Sequence, residues 1–369
     1  MPAQGTPAHG TPGDDTLEET PTPRDSLKER RQGVIASRMP LWRCQEIVPM
    51  SLSRRSFLAA GASAAGASLY GCSSLSLPPS APVVSTLAPG VARVRFGNAT
   101  ITSLPDGFVD RPLVEGFVRN ATLPQVQAAL KDAGLPTDKV TVPFTPFLVQ
   151  MGGRNVLFDG GNGTFGAPTS GRMLDSLKAT GLQPSQIDTV ILSHFHGDHI
   201  NGLRDKDGKL TFPNARMLVP APEWDWWMDD ARMNAAPAAA RGNFQAVRRV
   251  FGPVAQAVER FEPGRDLLPG IRSLPAFGHT AGHTTFIIDG GSQKLMYWAD
   301  TTNIAALFVR NPDWAVMFDA DPEAARKVRR ATMEMVVREN LLLAGYHLTL
   351  PGIGRLTPRG SGYDFTPLA

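Results

Sequence analysis

Cysteine is nearly absent from this chain. Of 369 residues only Cys44 and Cys72 are cysteine, and both precede the part of the sequence with core-like composition. A disulfide framework is therefore excluded, and the body has no thiolate to offer, so any metal it holds must be bound by nitrogen and oxygen. Long apolar runs are missing too: no stretch approaches the roughly 20 residues that a membrane-spanning helix needs. An excess of charge of one sign is missing from the body. Eight of the 37 Lys/Arg and seven of the 34 Asp/Glu lie in residues 1–72, which leaves the remainder close to neutral despite a formal charge of +3. Without a basic face a nucleic-acid partner is not expected. No solenoid-type repeat is found, and no His-Glu-x-x-His occurs, which excludes a zinc site carried on one helix. What remains is ordinary globular usage, 42% hydrophobic and 19% charged, in a chain long enough for a sizeable core.

The first 72 residues read as processing and export sequence. Residues 1–49 are rich in Pro, Gly, Thr and charge and carry no apolar period, so they are expected to be disordered. Arg54 and Arg55 precede Phe57, Leu58 and an uncharged run from Ala59 to Tyr70, the layout of a signal peptide of the twin-arginine type, which exports folded proteins. Such signals lie close to their start, and Met50 stands just before Ser53. The expectation is a signal segment at 50–72 and an extension at 1–49 that is not made in the cell. Leu69-Tyr70-Gly71-Cys72 resembles a lipobox, which implies a lipid anchor at Cys72, although Tyr70 replaces the small residue usual there. The mature protein is expected outside the cytoplasm, periplasmic or lipid-anchored.

Residues 73–89, with their Pro and Ser, read as a linker, and 90–369 as one domain. Strands are expected at Val91–Phe96 and Ala99–Leu104, and Phe147–Gln150 with Asn155–Phe158 reads as a hairpin around Gly152-Gly153. A helix over Gly171–Thr180 leads to a buried strand Ile187–Leu192 that runs into Ser193-His194. Beyond it come a strand at Ala215–Val219, a helical stretch over Ala238–Arg260 and strands at Thr284–Ile288 and Lys294–Trp298. Asp321-Pro322-Glu323 then gives an N-cap, an N1 proline and a first-turn acid to a helix ending near Asn340. The alternation implies an α/β or α+β layered domain whose topology the pattern alone does not choose.

Six of the seven histidines fall between His194 and His347. The run His194-Phe195-His196-Gly197-Asp198-His199 places three imidazoles and a carboxylate within six residues of a strand end. A lone histidine is more often a surface or satisfied core residue, but four ligand-type side chains held this close repel unless a cation sits among them. Neutral imidazole with carboxylate suits zinc or a neighbouring first-row metal.

At this run the sequence resembles the metallo-β-lactamase superfamily, whose motif His-x-His-x-Asp-His stands here as His194, His196, Asp198 and His199. Phe277-Gly278-His279-Thr280-Ala281-Gly282-His283-Thr284 is similar to the family's Gly-His-Thr-Pro-Gly-His-Thr segment, with Ala281 for the proline. Trp298-Ala299-Asp300 and Tyr346-His347 match the last two ligand positions. The resemblance spans about residues 90–369 and implies a four-layer αββα sandwich, a class also described as α+β. It further implies two divalent cations, zinc first and Mn, Fe or Co as substitutes. His194, His196 and His279 would hold one, Asp198, His199 and His347 the other, with Asp300 shared. Asp159 and His283 would lie behind the ligands, orienting them. The segments Phe212-Pro213-Asn214-Ala215, Glu223-Trp224-Asp225-Trp226-Trp227 and Tyr346 to Gly354 resemble the branch containing methyl parathion hydrolase and related lactonases, in which Phe144 and Trp227 would stand near the substrate. The Trp224, Trp226 and Trp227 cluster reads equally well as a helix packed on the core.

Two cations sharing a water lower its pKa toward neutrality, so the implied chemistry is attack by a metal-bridging hydroxide on an ester, lactone or phosphotriester, with Asp198 and Asp300 catalytic and Asp300 taking up a proton. The expected partner is a small, uncharged, lipophilic molecule. Two alternatives remain within the superfamily: an iron-dependent oxidoreductase of the persulfide-dioxygenase or flavodiiron type, which usually alters the second-site ligands that stand intact here as Asp198 and His199, and a thioester hydrolase of the glyoxalase II type.

Overall fold

A computed structural model describes residues 81–368. The 1–49 extension, the Arg54-Arg55 signal segment, Cys72 and the first part of the expected linker lie outside the described residues. Strands β1 (Val83–Ala88), β2 (Val91–Phe96) and β3 (Ala99–Ser103) form an antiparallel meander. This corrects the expected domain start at residue 90, because the linker's second half is an edge strand. Its side chains stay largely in solvent, with Val83 55% exposed, so only its backbone pairing identifies it. Strand β4 (Gly107–Pro112), helix α1 (Leu123–Asp132) and strand β5 (Lys139–Phe144) follow, β4 and β5 pairing as a separate two-stranded ribbon. Then come the hairpin β6 (Phe147–Met151) and β7 (Arg154–Phe158), helix α2 (Met173–Ala179), strand β8 (Thr189–Ile191) and the one-turn helix α3 (Gly197–Ile200).

Strand β9 (Arg216–Pro220) is followed by helices α4 (Ala221–Trp227), α5 (Asp230–Ala235) and α6 (Ala238–Phe251). Helix α6 stops well short of the expected Arg260. Gly252-Pro253 ends it, since proline lacks the N–H that the next turn needs, and the remaining residues become strand β10 (Glu259–Phe261). The second half runs β11 (Asp266–Leu268), β12 (Ile271–Pro275), β13 (Thr284–Asp289) and β14 (Lys294–Tyr297). Helix α7 (Pro322–Arg338), strand β15 (Leu342–Ala344) and the hairpin β16 (Ile353–Arg359) and β17 (Gly362–Pro367) complete it. Asp321 caps α7 as expected, accepting from the N–H groups of Glu323 and Ala324, and Asn340, left-handed at φ 49°, ends it.

The strands form two large sheets, ordered β1-β2-β3-β6-β7-β8-β9-β10 and β11-β12-β13-β14-β15-β16-β17. Alternation along individual strands shows how they stack. On β6, Phe147 and Val149 join a core shared with the second sheet, while Leu148 joins a cluster with Met173, Leu177 and Val247 from α2 and α6. On β14, Leu295 and Tyr297 enter the shared core, while Met296 packs with Met333 and Val336 of α7. Both faces of these central strands are buried, which is why they read as continuous apolar runs. The order helix, sheet, sheet, helix is the four-layer sandwich.

Candidate metal centre

Strand ends carry the site. Ser193 and His194 follow β8, Asp198 and His199 ride on α3, His279 and His283 lie in the loop from β12 to β13, Asp300 follows β14 and His347 follows β15. Paired strands and the helix that follows β8 thus aim side chains from four chain segments at one point. The structure brings all seven expected ligands together in two sets sharing Asp300. One is His194, His196, His279 and Asp300, the other Asp198, His199, Asp300 and His347, and the ligand atoms within each set lie within 4.8 Å of one another.

The hydrogen bonds behind the imidazoles fix which nitrogen faces inward. His199 Nδ1 donates to Asp159 Oδ2 at 2.9 Å, His279 Nδ1 to Asp319 Oδ1 at 3.0 Å, and His347 Nδ1 to the Pro143 carbonyl at 2.7 Å. The Ser193 hydroxyl donates to Asp159 Oδ2 and therefore accepts from His194 Nδ1, 3.0 Å away. Four Nε2 lone pairs then face inward. His199 Nε2 stands 3.1 Å from Asp300 Oδ1, both fully buried and without a hydrogen-bond partner. His347 Nε2 stands 3.0 Å from Asp300 Oδ2, and His196 Nδ1 lies 3.0 Å from both His194 Nε2 and His279 Nε2. Acceptor facing acceptor in a buried site is costly unless a cation lies between, and this donor set of imidazole and carboxylate fits divalent first-row metals.

Electrostatics agree. Burial, reinforced by neighbouring imidazoles, holds His194 well below the ordinary histidine range and His196 down at about 3, so both stay neutral and ready to ligate. For His279 burial also opposes charge, but the carboxylates of Asp300 and Asp319 outweigh it and push the group up to about 9. Asp198 is held at about 2, burial being outweighed by His199 and His347. The carboxylates demand positive charge, and the imidazoles are placed to deliver it through a metal.

His283 is not in either set. Burial holds it near 3, Nδ1 donates to the Ala276 carbonyl at 3.0 Å, and Nε2 accepts the Asp300 N–H at 3.1 Å. It braces the shared ligand from behind. Asp159, at φ 61°, accepts from the Ser193 N–H and hydroxyl, His199 Nδ1 and the Tyr297 hydroxyl. Asp319, Arg329 and Glu223 were not expected here. Asp319 orients His279 and pairs with buried Arg329 at 3.0 Å, while Glu223 binds loop backbone. Asp319 and Arg329 are lone charged residues outside any local motif, and Glu223, although it opens the segment Glu223-Trp224-Asp225-Trp226-Trp227, carries no sequence signal of what it binds.

Two cavities open onto the cluster. One, of about 550 Å³, reaches Asp198, Asp300 and His347 between walls that include Val142, Phe144, Phe165 and Arg111. The Phe144 ring centre lies 5.7 Å from that of His347. The other, of about 660 Å³, is lined by Trp226, Trp227, Phe244 and Phe277, and both share His196, His279 and Phe318. Trp227 is buried with its ring centre 6.3 Å from that of His196, and Trp226 is half exposed, whereas Trp224 packs into the core near Phe251.

Residues 145–347 match the family model described as the metallo-beta-lactamase superfamily. Two probable metallo-hydrolases, from Mycobacterium tuberculosis and Mycobacterium bovis, are each 26% identical over 139 residues, 36% of this chain and 42% of theirs. The match thus spans less than half the length of these curated relatives. Among solved structures, AidC, a dizinc quorum-quenching lactonase in complex with a homoserine product, superposes with a TM-score of 0.72 at 26% identity, covering 76% of this chain and 98% of that one. The hydrolase AbOPH gives 0.70 with the same identity and coverage. A probable metal-dependent hydrolase from Staphylococcus aureus, 22% identical, shares the fold with a TM-score of 0.59, covering 69% of this chain and 91% of that one.

Proposed function

The chain belongs to the metallo-beta-lactamase superfamily, and on that premise we propose that it is a hydrolase of neutral lipophilic esters and lactones, with phosphotriesters as secondary substrates, working with two divalent cations, zinc first. The observation that carries the reading is the convergence of seven imidazole and carboxylate ligands, Asp300 shared, at the meeting point of two cavities, one of mixed polarity that Phe144 and Val142 help to line and one mainly apolar and walled by Trp226, Trp227 and Phe244. Likeness to a dizinc lactonase and to a hydrolase, each matched over nearly its whole length, supports it.

When bound, the two cations would acidify a shared water and polarise the substrate's electrophilic oxygen. The chain's own residues do the rest. His194, His196 and His279 would hold one cation, Asp198, His199 and His347 the other. Asp300 spans both sets, and its carboxylate is the group to take up the proton released in the reaction. Phe144 on one side and Trp227 on the other exclude water and seat apolar groups, one cavity for each end of an extended substrate. We further propose that the enzyme is exported, a reading resting on Arg54, Arg55 and the uncharged run that follows them.

The test is a screen of metal-loaded protein against lactones, aryl esters, phosphotriesters, β-lactams and glutathione thioesters, with oxygen uptake followed in parallel. Lactones or aryl esters should lead. Trp227→Ala should raise KM for them by about tenfold while lowering kcat less, because a wall residue binds ground and transition states alike. A glutathione thioester as best substrate, or oxygen consumption, would replace this reading with one of its rivals.

A further inference from the structure

Glu223, on the first turn of α4, is fully buried, and among the described residues no cationic side chain lies within ion-pairing distance. Its carboxylate is instead met by three N–H donors from separate parts of the site. Oε1 accepts the Phe195 N–H at 3.0 Å and the Trp227 indole N–H at 2.9 Å, and Oε2 accepts the Gly282 N–H at 2.7 Å. Phe195 stands between His194 and His196, Gly282 between His279 and His283, and Trp227 walls the second cavity. One side chain therefore joins both histidine loops of a single ligand set to the substrate wall.

The neighbouring geometry makes the contact directional. A Cβ on Gly282 would lie 2.3 Å from the Glu223 backbone nitrogen, so only glycine lets that loop ride directly on α4. The Phe195 ring stacks on Phe251 at 4.5 Å between ring centres, which anchors the His194–His196 loop against the end of α6. We infer that Glu223 is a positioning residue that holds the His194–His196 and His279–His283 loops in register with each other and with Trp227. This rests on the metal-site reading above, but it assigns a role that neither ligand spacing nor family likeness provides. Three donors suit a carboxylate, whereas the amide of glutamine accepts on one oxygen only and would turn an NH₂ toward one of the N–H groups.

The test is Glu223→Gln in the full chain, read first by metal loss to a chelator and second by kinetics. Loss of a partner that orients ligands typically costs 10–100-fold in metal affinity. We expect metal release at least about tenfold faster, together with a raised KM for an aryl ester. Trp227→Phe, which removes the indole N–H and part of the ring that walls the cavity, should raise KM and leave metal release unchanged. Should Glu223→Gln fail to fold, Gly282→Ala displaces the loop while keeping the carboxylate and should speed metal release in the same way. Wild-type metal retention in Glu223→Gln, or in Gly282→Ala if that variant has to stand in for it, overturns the inference. Because metal retention needs no substrate, that result is distinct from a failed hydrolase assignment, which the screen alone would reveal.

Discussion

Asp319 shows what a single side chain does here that its sequence position does not announce. Its Oδ1 takes the His279 Nδ1 proton and its Oδ2 takes Arg329 Nη2, both at 3.0 Å, and both of its partners are buried. Arg329 is otherwise satisfied by the carbonyls of Thr301 and Trp314. Replacing Asp319 with alanine strands a buried guanidinium and frees the His279 ring together. Breaking a buried pair from one side costs about 3–5 kcal/mol. The Asp319→Ala variant should lose that much in denaturant unfolding of the metal-free protein, and a loss under about 1 kcal/mol would mean that water reaches Arg329. The seven ligands and Asp159 were legible because each sits in a short motif whose neighbours carry the same chemistry. Asp319 and Glu223 were not, because the loop groups they hold, His279, Phe195 and Gly282, lie 40, 28 and 59 residues away.

Elements were legible where both faces of a strand are buried, as at Phe147–Met151 and Lys294–Tyr297, and where capping chemistry is explicit, as at Asp321-Pro322. The ribbon of β4 and β5 was not, since most of Gly107–Pro112 faces solvent and shows no clean period. Helix α1 passed unnoticed although Gln125 accepts the Thr122 N–H at 2.8 Å, half of a capping box. Asp106, just before β4, ties several of these pieces together. It accepts from the Asn162 N–H at 2.8 Å and from the Met173 N–H that opens α2 at 2.9 Å. Burial raises its pKa above the ordinary carboxylate value, and the bonds from Asn162 and Met173 only partly oppose that. The folded state therefore keeps this proton to higher pH than the unfolded chain does. Stability from Asp106 should then fall as pH rises from the unfolded carboxylate value through the folded one. Asp106→Asn cannot titrate, so the stability of the wild type relative to this variant should decline across that window in metal-free protein. A difference that stays flat or grows with pH would place the proton elsewhere.

At the scale of the molecule, the centre is a concentration of negative charge that the polypeptide does not balance. Asp159, Asp198, Asp300, Asp319 and Glu223 converge on it, and the only cationic side chain paired with any of them among the described residues, histidines aside, is Arg329. Burial pulls Glu223 toward its neutral form, but the four aspartates and one guanidinium alone leave three negative charges, more than one divalent cation neutralises while the histidines stay neutral. A lone cation would leave part of that charge buried, so both metals are expected to be part of the folded protein's stability as well as its chemistry. Fully active protein should then carry two metals per chain. A ligand present at 100 times its Kd stabilises by ~2.7 kcal/mol per site, and each kcal/mol moves the midpoint by ~2–4 °C in domains of 150–250 residues. Chelation should therefore lower the thermal midpoint by roughly 10–20 °C, and re-addition of zinc should restore it in two binding steps. His196→Ala, which removes one ligand from the less carboxylate-rich set, should erase one of those steps along with turnover and leave the other. A stoichiometry near one in fully active enzyme, or a midpoint indifferent to chelator, would show that the protein balances its buried carboxylates by protonation, as His279 at about 9 would allow, and that the two-cation centre is wrong.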